Sequence, residues 1–409
     1  MTPRLRVGLV CDLAEEGWPS MDLVAERLDH HLRTDHASTV AVTRLCPQLV
    51  RRFSRVPGVA PRGISWTADR LLNRYLDFPR WLRGVRAAGR FDLFHVVDHS
   101  YAHLVHGLPA RRSVVTCHDL DAFRGVIDPV ASRRSPLLRP MARYTLDGLA
   151  AAARVVCVSR AVRDELLAYR IVPAERIVVI PNGVHPSRSA DADAAADAAA
   201  TALLGEPSSA VPELLHVGST IPRKRIDRLL RVCAGLTQVV PGVRLVRVGG
   251  PLTSAQQALA SELGLETRIR TLPFVEHPVL SAVYRRAALV LLTSDAEGFG
   301  LPVVEALGSG TPVVATDLPV LREVGGEAVS YCRGDDLRHW VETVAALLRE
   351  RDREPARWTR RRETGLRHAA RFSWRTYTDE MVRVYERLRE IDATPVATTG
   401  DGGEGGRSP

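Results

Sequence analysis

With 409 residues, the chain is too long for one ordinary core and asks for two units of roughly 180 to 200 residues each. A composition of 45% hydrophobic and 25% charged residues is that of a globular protein; no run of 18 apolar residues offers a membrane span, and Met1-Thr2-Pro3-Arg4 leads into a strand pattern, unlike a secretion signal. The six cysteines, Cys11, Cys46, Cys117, Cys157, Cys233 and Cys332, are scattered with no C-x-x-C pair or Cys/His cluster, which argues against a zinc site or a disulfide framework and for a reducing cytoplasm.

Short apolar runs alternate with helical patterns along the whole chain, the mark of parallel sheets in an α/β protein. In the first half the runs are 5–11, 40–45, 93–97, 113–117, 155–159 and 177–181. Residues 186–211, rich in Ala, Asp, Ser and Pro, read as a linker with room for one short helix. The second set of runs is 214–217, 244–248, 269–274, 288–293, 312–315 and 328–331. Each set predicts one doubly wound, Rossmann-like sheet of six strands that binds ligands at its strands' carboxyl ends. The expected organisation is a first unit over 1–185, the linker 186–211, a second unit over 212–373, a helix over 374–392 with apolar positions Tyr377, Met381, Val384, Tyr385 and Leu388 on one face, and a disordered tail over 393–409.

Charge is unevenly placed. The net +9 comes from 56 basic and 47 acidic residues. Residues 1–185 hold 27 Arg against 18 Asp plus Glu, and the remainder holds 29 of each sign. All basic residues but one are arginine, the exception being Lys224, so that position is expected to need a compact ammonium.

Three stretches carry chemistry. In Ser294-Asp-Ala-Glu297-Gly298-Phe299-Gly300-Leu301-Pro302-Val-Val-Glu305, a strand ends, glycines open a loop and Pro302 starts a helix. The free N–H groups of Gly300, Leu301 and the first turn suit an anion such as a diphosphate, and Glu297 and Glu305 are placed to take hydroxyls on either side. In Gly218-Ser-Thr-Ile-Pro-Arg223-Lys224, two cations follow a glycine turn and form a phosphate clamp. His118 ends an apolar strand in the first unit and is expected to hydrogen-bond a hydroxyl or phosphate in the cleft. Asp119 and Asp121 stand beside it as carboxylates with no other metal ligand in view.

The pattern Glu297 to Glu305, with Gly-Phe-Gly-Leu-Pro inside it, resembles the E-x7-E motif of the retaining GT-B glycosyltransferases of family 4. Val217-Gly-Ser-Thr-Ile-Pro-Arg-Lys is similar to that family's diphosphate motif, His118 to its sugar-contacting histidine, and Pro181-Asn-Gly-Val184 to its hinge signature. The resemblance covers residues 4–392 and is strongest in the second half. It implies two facing Rossmann-like domains, the first for acceptor and the second for donor, with a last helix crossing back to the first. It also implies sugar transfer from a nucleotide-diphosphate sugar to a hydroxyl with retention, without metal or cofactor. Glu297 would hold the sugar, Glu305 the ribose, His118 the sugar from the opposite side, Arg223 and Lys224 the diphosphate, and Gly218, Phe274, Gly298, Phe299, Gly300 and Leu301 the rest of the donor. Two departures stand out: Gly17 alone represents the family's paired-glycine loop, and Ser219 replaces an arginine whose role Arg223 would take.

For the acceptor, Gly17, Trp18, Asp98 and Tyr101 are the candidates, and the acceptor's identity stays open. Arg70–Arg83 and Arg133–Arg143 interleave arginine with Leu, Tyr, Phe and Trp, which suits either an anionic membrane surface and a lipid-linked acceptor at the inner face, or ordinary helices with solvated arginines. No nucleic-acid motif accompanies the charge. A nucleotide-sugar epimerase of the same fold, or a non-catalytic nucleotide-sugar binding subunit, are the alternative readings. A pyridoxal-dependent phosphorylase would need the only lysine for its cofactor.

Overall fold

The computed structural model describes residues 3–55, 63–129, 138–208 and 210–393. Residues 394–409 of the expected tail, and 133–137 of the second arginine stretch, lie outside them. Each predicted apolar run forms a strand. They are β1 (Leu5–Val10), β2 (Val40–Leu45), β3 (Leu93–Val96), β4 (Ser113–Cys117), β5 (Arg154–Cys157) and β6 (Ile177–Val179), then β7 (Glu213–Val217), β8 (Arg244–Val248), β9 (Ile269–Leu272), β10 (Leu289–Leu292), β11 (Val313–Thr316) and β12 (Val329–Cys332). They build two six-stranded sheets of order β2-β1-β3-β4-β5-β6 and β12-β11-β10-β7-β8-β9. Every pairing is parallel, in register as Val7 beside Val42 and Leu93, or Leu291 beside Val314. Near-continuous burial of β4, β10 and β11 explains their unbroken Val/Leu runs, since helices cover both faces of a parallel sheet.

Strand order reverses at β1/β3 in the first sheet and at β7/β10 in the second. A crevice opens at such points, beyond the carboxyl ends of the strands. Asp12, Asp98 and His118 follow β1, β3 and β4 there, while Gly218, Gly249 and Ser294 follow β7, β8 and β10.

The linker segment contains an 11-residue helix, Ala194–Leu204, started by the Asp193 side chain. Ala196 and Ala200 bury against the second sheet's core. The last helix, Trp374–Ala393, packs Trp374, Tyr377, Met381, Tyr385 and Leu388 among Leu5, Val7 and Leu9 of the first sheet. Its buried Tyr385 hydroxyl meets His95 Nδ1 at 2.6 Å, and the other ring nitrogen of His95 meets Thr116 Oγ1 at 2.8 Å. Just before this helix, Phe372 O accepts from Val184 N–H at 3.0 Å. A Cβ on Gly183 would stand 2.3 Å from Trp374 N, so only glycine lets the two segments approach so closely.

Candidate functional site

At the carboxyl end of β7 the chain turns through Gly218 and a single 3-10 turn, Pro222–Lys224. Arg225 then takes a left-handed conformation, φ 49°, which is costly for a residue with a Cβ. Its guanidinium is held by Asp227 at 2.9 Å and Asp295 at 2.8 Å, and this anchors the turn so that Arg223 and Lys224 face the loop after β10.

That loop brings Glu297 to them. Lys224 Nζ lies 2.7 Å from Glu297 Oε1, the Ser294 hydroxyl donates to the same oxygen at 2.6 Å, and Arg223 reaches Oε2 at 3.4 Å. The Glu297 side chain is only 6% exposed and that of Lys224 11%. Burial alone would raise the Glu297 carboxyl, but the charges of Lys224 and Arg223 outweigh it and hold the group below the usual carboxylate range. The loop carboxylate that sequence reading left accessible to a sugar is therefore enclosed and ion-paired.

Arg223 also crosses the crevice. It donates to Asp119 Oδ2, at the end of β4, at 3.3 Å. The Asp119 carboxylate further accepts from Asp121 N–H at 2.9 Å and stands 3.6 Å from His99 Nε2. Burial opposes its ionisation, while His99 and Arg223 together drive it well below the usual range. Weighed in the sequence only as a potential metal ligand, Asp119 is here the partner of an arginine.

The seam beside this pair is tight. A Cβ on Gly298 would fall 1.7 Å from the His118 carbonyl oxygen, the Ser159 hydroxyl donates to Gly298 O at 2.7 Å, and Glu323 accepts the N–H groups of Arg160 and Ala161 from across the seam. His118 itself is buried and donates from Nε2 to Val97 O at 2.8 Å. Its Nδ1 is left as an acceptor, and burial lowers its basicity. A hydroxyl can thus donate to His118 at Nδ1.

Other candidates separate from this cluster. Glu305 lies inside the helix Leu301–Gly308 and is buried; it accepts from the Tyr284 hydroxyl at 3.1 Å and pairs with Arg188 at 3.2 Å. Arg188 is also tied to His277 O at 2.7 Å. Phe299, read as a donor contact, packs edge-on against Phe372 within the first sheet's core cluster. Gly300, φ 91°, caps the helix start, one residue earlier than Pro302 suggested, and Leu301 is half-buried beside both first-sheet clusters. Phe274, after β9, is 63% exposed.

On the acceptor side, Gly17 is left-handed, φ 63°, and exposed Trp18 donates to Glu16 at 3.0 Å. Asp98 is buried and accepts from Ser100 N–H at 2.8 Å. Burial, and then the charge of Asp98, pushes the neighbouring Asp12 carboxyl well up. Tyr101 is fully buried; its hydroxyl accepts from Leu13 N–H at 3.3 Å and its ring lies under the Arg74 guanidinium at 4.1 Å. It supports the loop after β1 from below and does not line it. Arg74, counted among the surface arginines, is turned inward within 3.5 Å of Glu16.

Sequence reasoning passed over Arg188, Tyr284, Asp12 and Arg247. An arginine inside the apolar strand Leu-Val-Arg-Val was a signal for the last. The others depend on contacts between distant segments. Among the described residues, no three His, Cys, Asp or Glu side chains are grouped to hold a metal, and no helix is long and apolar enough to cross a membrane.

Two family models match the chain: Glycosyltransferase Family 4 over residues 23–188 and Glycosyl transferases group 1 over 205–365. The D-inositol 3-phosphate glycosyltransferase of Nocardia farcinica is 34% identical over 286 residues, 66% of this chain and 60% of that protein. D-inositol 3-phosphate glycosyltransferase 1 of Catenulispora acidiphila is 31% identical over 85% of this chain and 83% of its own length. In fold, sucrose-phosphate synthase of Thermosynechococcus elongatus superposes with TM-score 0.71 at 19% identity, over 95% of this chain and 100% of that one. Anabaena HepE in complex with UDP and glucose gives 0.67 at 18%, over 94% and 100%.

Proposed function

The chain belongs to glycosyltransferase family 4, and from that premise we propose that it moves a sugar from a nucleotide-diphosphate sugar to a hydroxyl acceptor, with retention at the anomeric carbon and without a metal. One observation carries the reading: Lys224 and Arg223 converge on the ionised Glu297 at a tight seam between the two sheets. In the proposed reaction the bond from the anomeric carbon to the diphosphate breaks and the bond to the acceptor oxygen forms on the same face. The acceptor proton passes to the departing phosphate oxygen. Lys224 and Arg223 stabilise the charge that collects on the leaving diphosphate, the task a metal performs elsewhere. Glu297, kept anionic by those cations, faces the positive charge that develops on the sugar. His118 accepts a hydrogen bond from a sugar hydroxyl at Nδ1, Glu305 with Arg188 and Tyr284 forms the ribose end, and Phe274 meets the base. Closure of the seam over the donor keeps water out and limits hydrolysis.

The acceptor is proposed to lie at the ends of β1 and β3, near Asp12, Gly17, Trp18 and Asp98. Incubation with UDP-, GDP- and ADP-sugars and D-inositol 3-phosphate, the compound for which the relatives are named, should release nucleoside diphosphate with the acceptor glycosylated, and should do so in excess EDTA. Release from no donor would reject the transferase reading. Activity abolished by EDTA and restored by magnesium would reject metal independence.

A membrane-side acceptor is the second reading. On the helix Phe78–Ala87, whose Phe78 and Leu82 face the core, Trp81 remains exposed near Arg80 and Arg83, as does Leu76 just before it. Anionic vesicles should sediment the protein at about 50 mM salt, where surface charge is weakly screened. Protein that stays in the supernatant removes this reading.

A further inference from the structure

Beneath the Gly218 loop lies a charge that no carboxylate neutralises. Arg247, fourth residue of β8, is fully buried. Its guanidinium donates to Gly250 O and to Gly218 O, each at 3.0 Å, and its Nε has no partner among the described residues. Among the described residues no acidic side chain pairs with it, and burial alone lowers its basicity. A buried arginine ordinarily sits against a carboxylate or another anion, because desolvating a lone charge is costly.

Its neighbour deepens the imbalance. His216, on β7, is also fully buried, and neither ring nitrogen has a partner among the described residues. Burial, then the charges of Arg247 and Lys224, drive its basicity down to about 3, so the ring is neutral and supplies no counter-charge. The ring reaches the loop itself: a Cβ on Gly218 would stand 3.4 Å from His216 Cε1 and 3.8 Å from Lys224 Cε. Gly249 lies so close that its own Cβ would fall 2.3 Å from Gly218 O. Arg247, His216, the two glycine turns and Lys224 therefore form one contiguous stack, with Arg247 at its base.

The bonds to the carbonyls also set direction. In a trans peptide the C=O and the next N–H point oppositely, so a Gly218 carbonyl held on Arg247 turns the Ser219 N–H away from the buried side. Ser219 occupies the position where the family resemblance expects an arginine. We infer that Arg247 is a positioning residue for the donor diphosphate: it fixes the Gly218–Ser219 peptide with its N–H toward the anion, and it adds positive charge from beneath Arg223 and Lys224. This rests on the proposed nucleotide-sugar reading of the same site.

The test is calorimetric titration of parent, Arg247→Met and Arg247→Lys with UDP, UMP, uridine and inorganic pyrophosphate, with GDP and ADP run alongside. A charge acting on phosphate predicts a loss that grows with phosphate number in the methionine variant: at least tenfold for diphosphate, a few-fold for monophosphate and none for the nucleoside. The lysine variant, which keeps the charge and gives up one carbonyl, should stay within threefold for diphosphate. It decides the matter alone if the methionine variant does not fold. An equal loss for uridine and UDP, or a tenfold loss in the lysine variant, would make Arg247 a structural residue only and overturn the inference. Parent protein that binds neither a nucleoside diphosphate nor pyrophosphate would overturn the donor site itself, a separate outcome from unchanged binding in the variants.

Discussion

Replacing Glu297 by glutamine separates two jobs that this carboxylate performs. The substitution keeps shape and one acceptor oxygen but removes the charge that Lys224 meets at 2.7 Å and Arg223 at 3.4 Å. With the Lys224 side chain only 11% exposed, an unpaired ammonium there costs about 2 kcal/mol, below the full penalty for a deeply buried pair because the seam borders solvent. For a unit of this size that is a melting temperature lower by about 4 to 8 °C, a folded protein nonetheless. Turnover should fall by more than about 100-fold, some 3 kcal/mol, if the charge acts on the transition state. Affinity for the nucleoside diphosphate should move the other way or stay level, since Glu297 competes with phosphate for the same lysine. Thermal melting, initial rates and titration with nucleoside diphosphate measure the three quantities. Turnover within a few-fold of the parent, or diphosphate affinity lost in step with turnover, would refute the assignment.

Lys224→Ala should weaken nucleoside diphosphate binding by tenfold or more by titration, and Lys224→Arg should remain impaired, because a planar guanidinium does not reproduce the compact ammonium's 2.7 Å contact with Glu297; a fully active arginine variant would refute this. Gly298→Ala places a methyl 1.7 Å from the His118 carbonyl, so the seam cannot close, and loss of turnover with retained diphosphate binding is expected; normal turnover would show that closure is not needed. In pH, His95, His103 and His216 are buried with basicity lowered to about 3. The unfolded chain takes up protons that the native state refuses, so stability is fully present above about pH 6.5 and is lost as pH falls from there toward 3, by up to about 1.4 kcal/mol per unit per histidine. Urea midpoints at pH 7.5, 6 and 5 should decline in that order, and a constant midpoint would contradict the burial argument.

Parallel strands buried on both faces write themselves as unbroken apolar runs, and for that reason all twelve were readable along the chain. The lone lysine was readable too, because an arginine-rich composition makes an exception visible. Partnerships were not. Asp119 and Arg223 are 104 residues apart and Arg188 and Glu305 are 117 apart, so only the folded crevice shows that each is the other's counter-ion. Local reading also misassigned where a side chain points: Phe299 lies inside a ligand motif yet belongs to the core, and Tyr101 looks like a cleft aromatic yet props a loop from beneath. Arg247 was hidden differently. Its position in a strand was read correctly, while the meaning of a cation there depends on the absence of an acid partner among the described residues.

The return of the last helix to the first sheet bears on how the protein is made. The face of that sheet formed by Leu5, Val7 and Leu9 is covered in part by Leu23, Val24, Leu28 and Leu32 and in part by Trp374, Met381 and Tyr385, and His95 completes its hydrogen bonds only with Tyr385. A ribosome that has finished β6 must add roughly 200 further residues before that cover emerges, a wait of about 10 to 40 s at ordinary elongation rates. During synthesis the leading half therefore carries an apolar face that its own sequence closes only in part, a natural target for chaperones. A nascent chain stopped near residue 370 should stay protease-sensitive in its first half, although every strand of that sheet has already been translated.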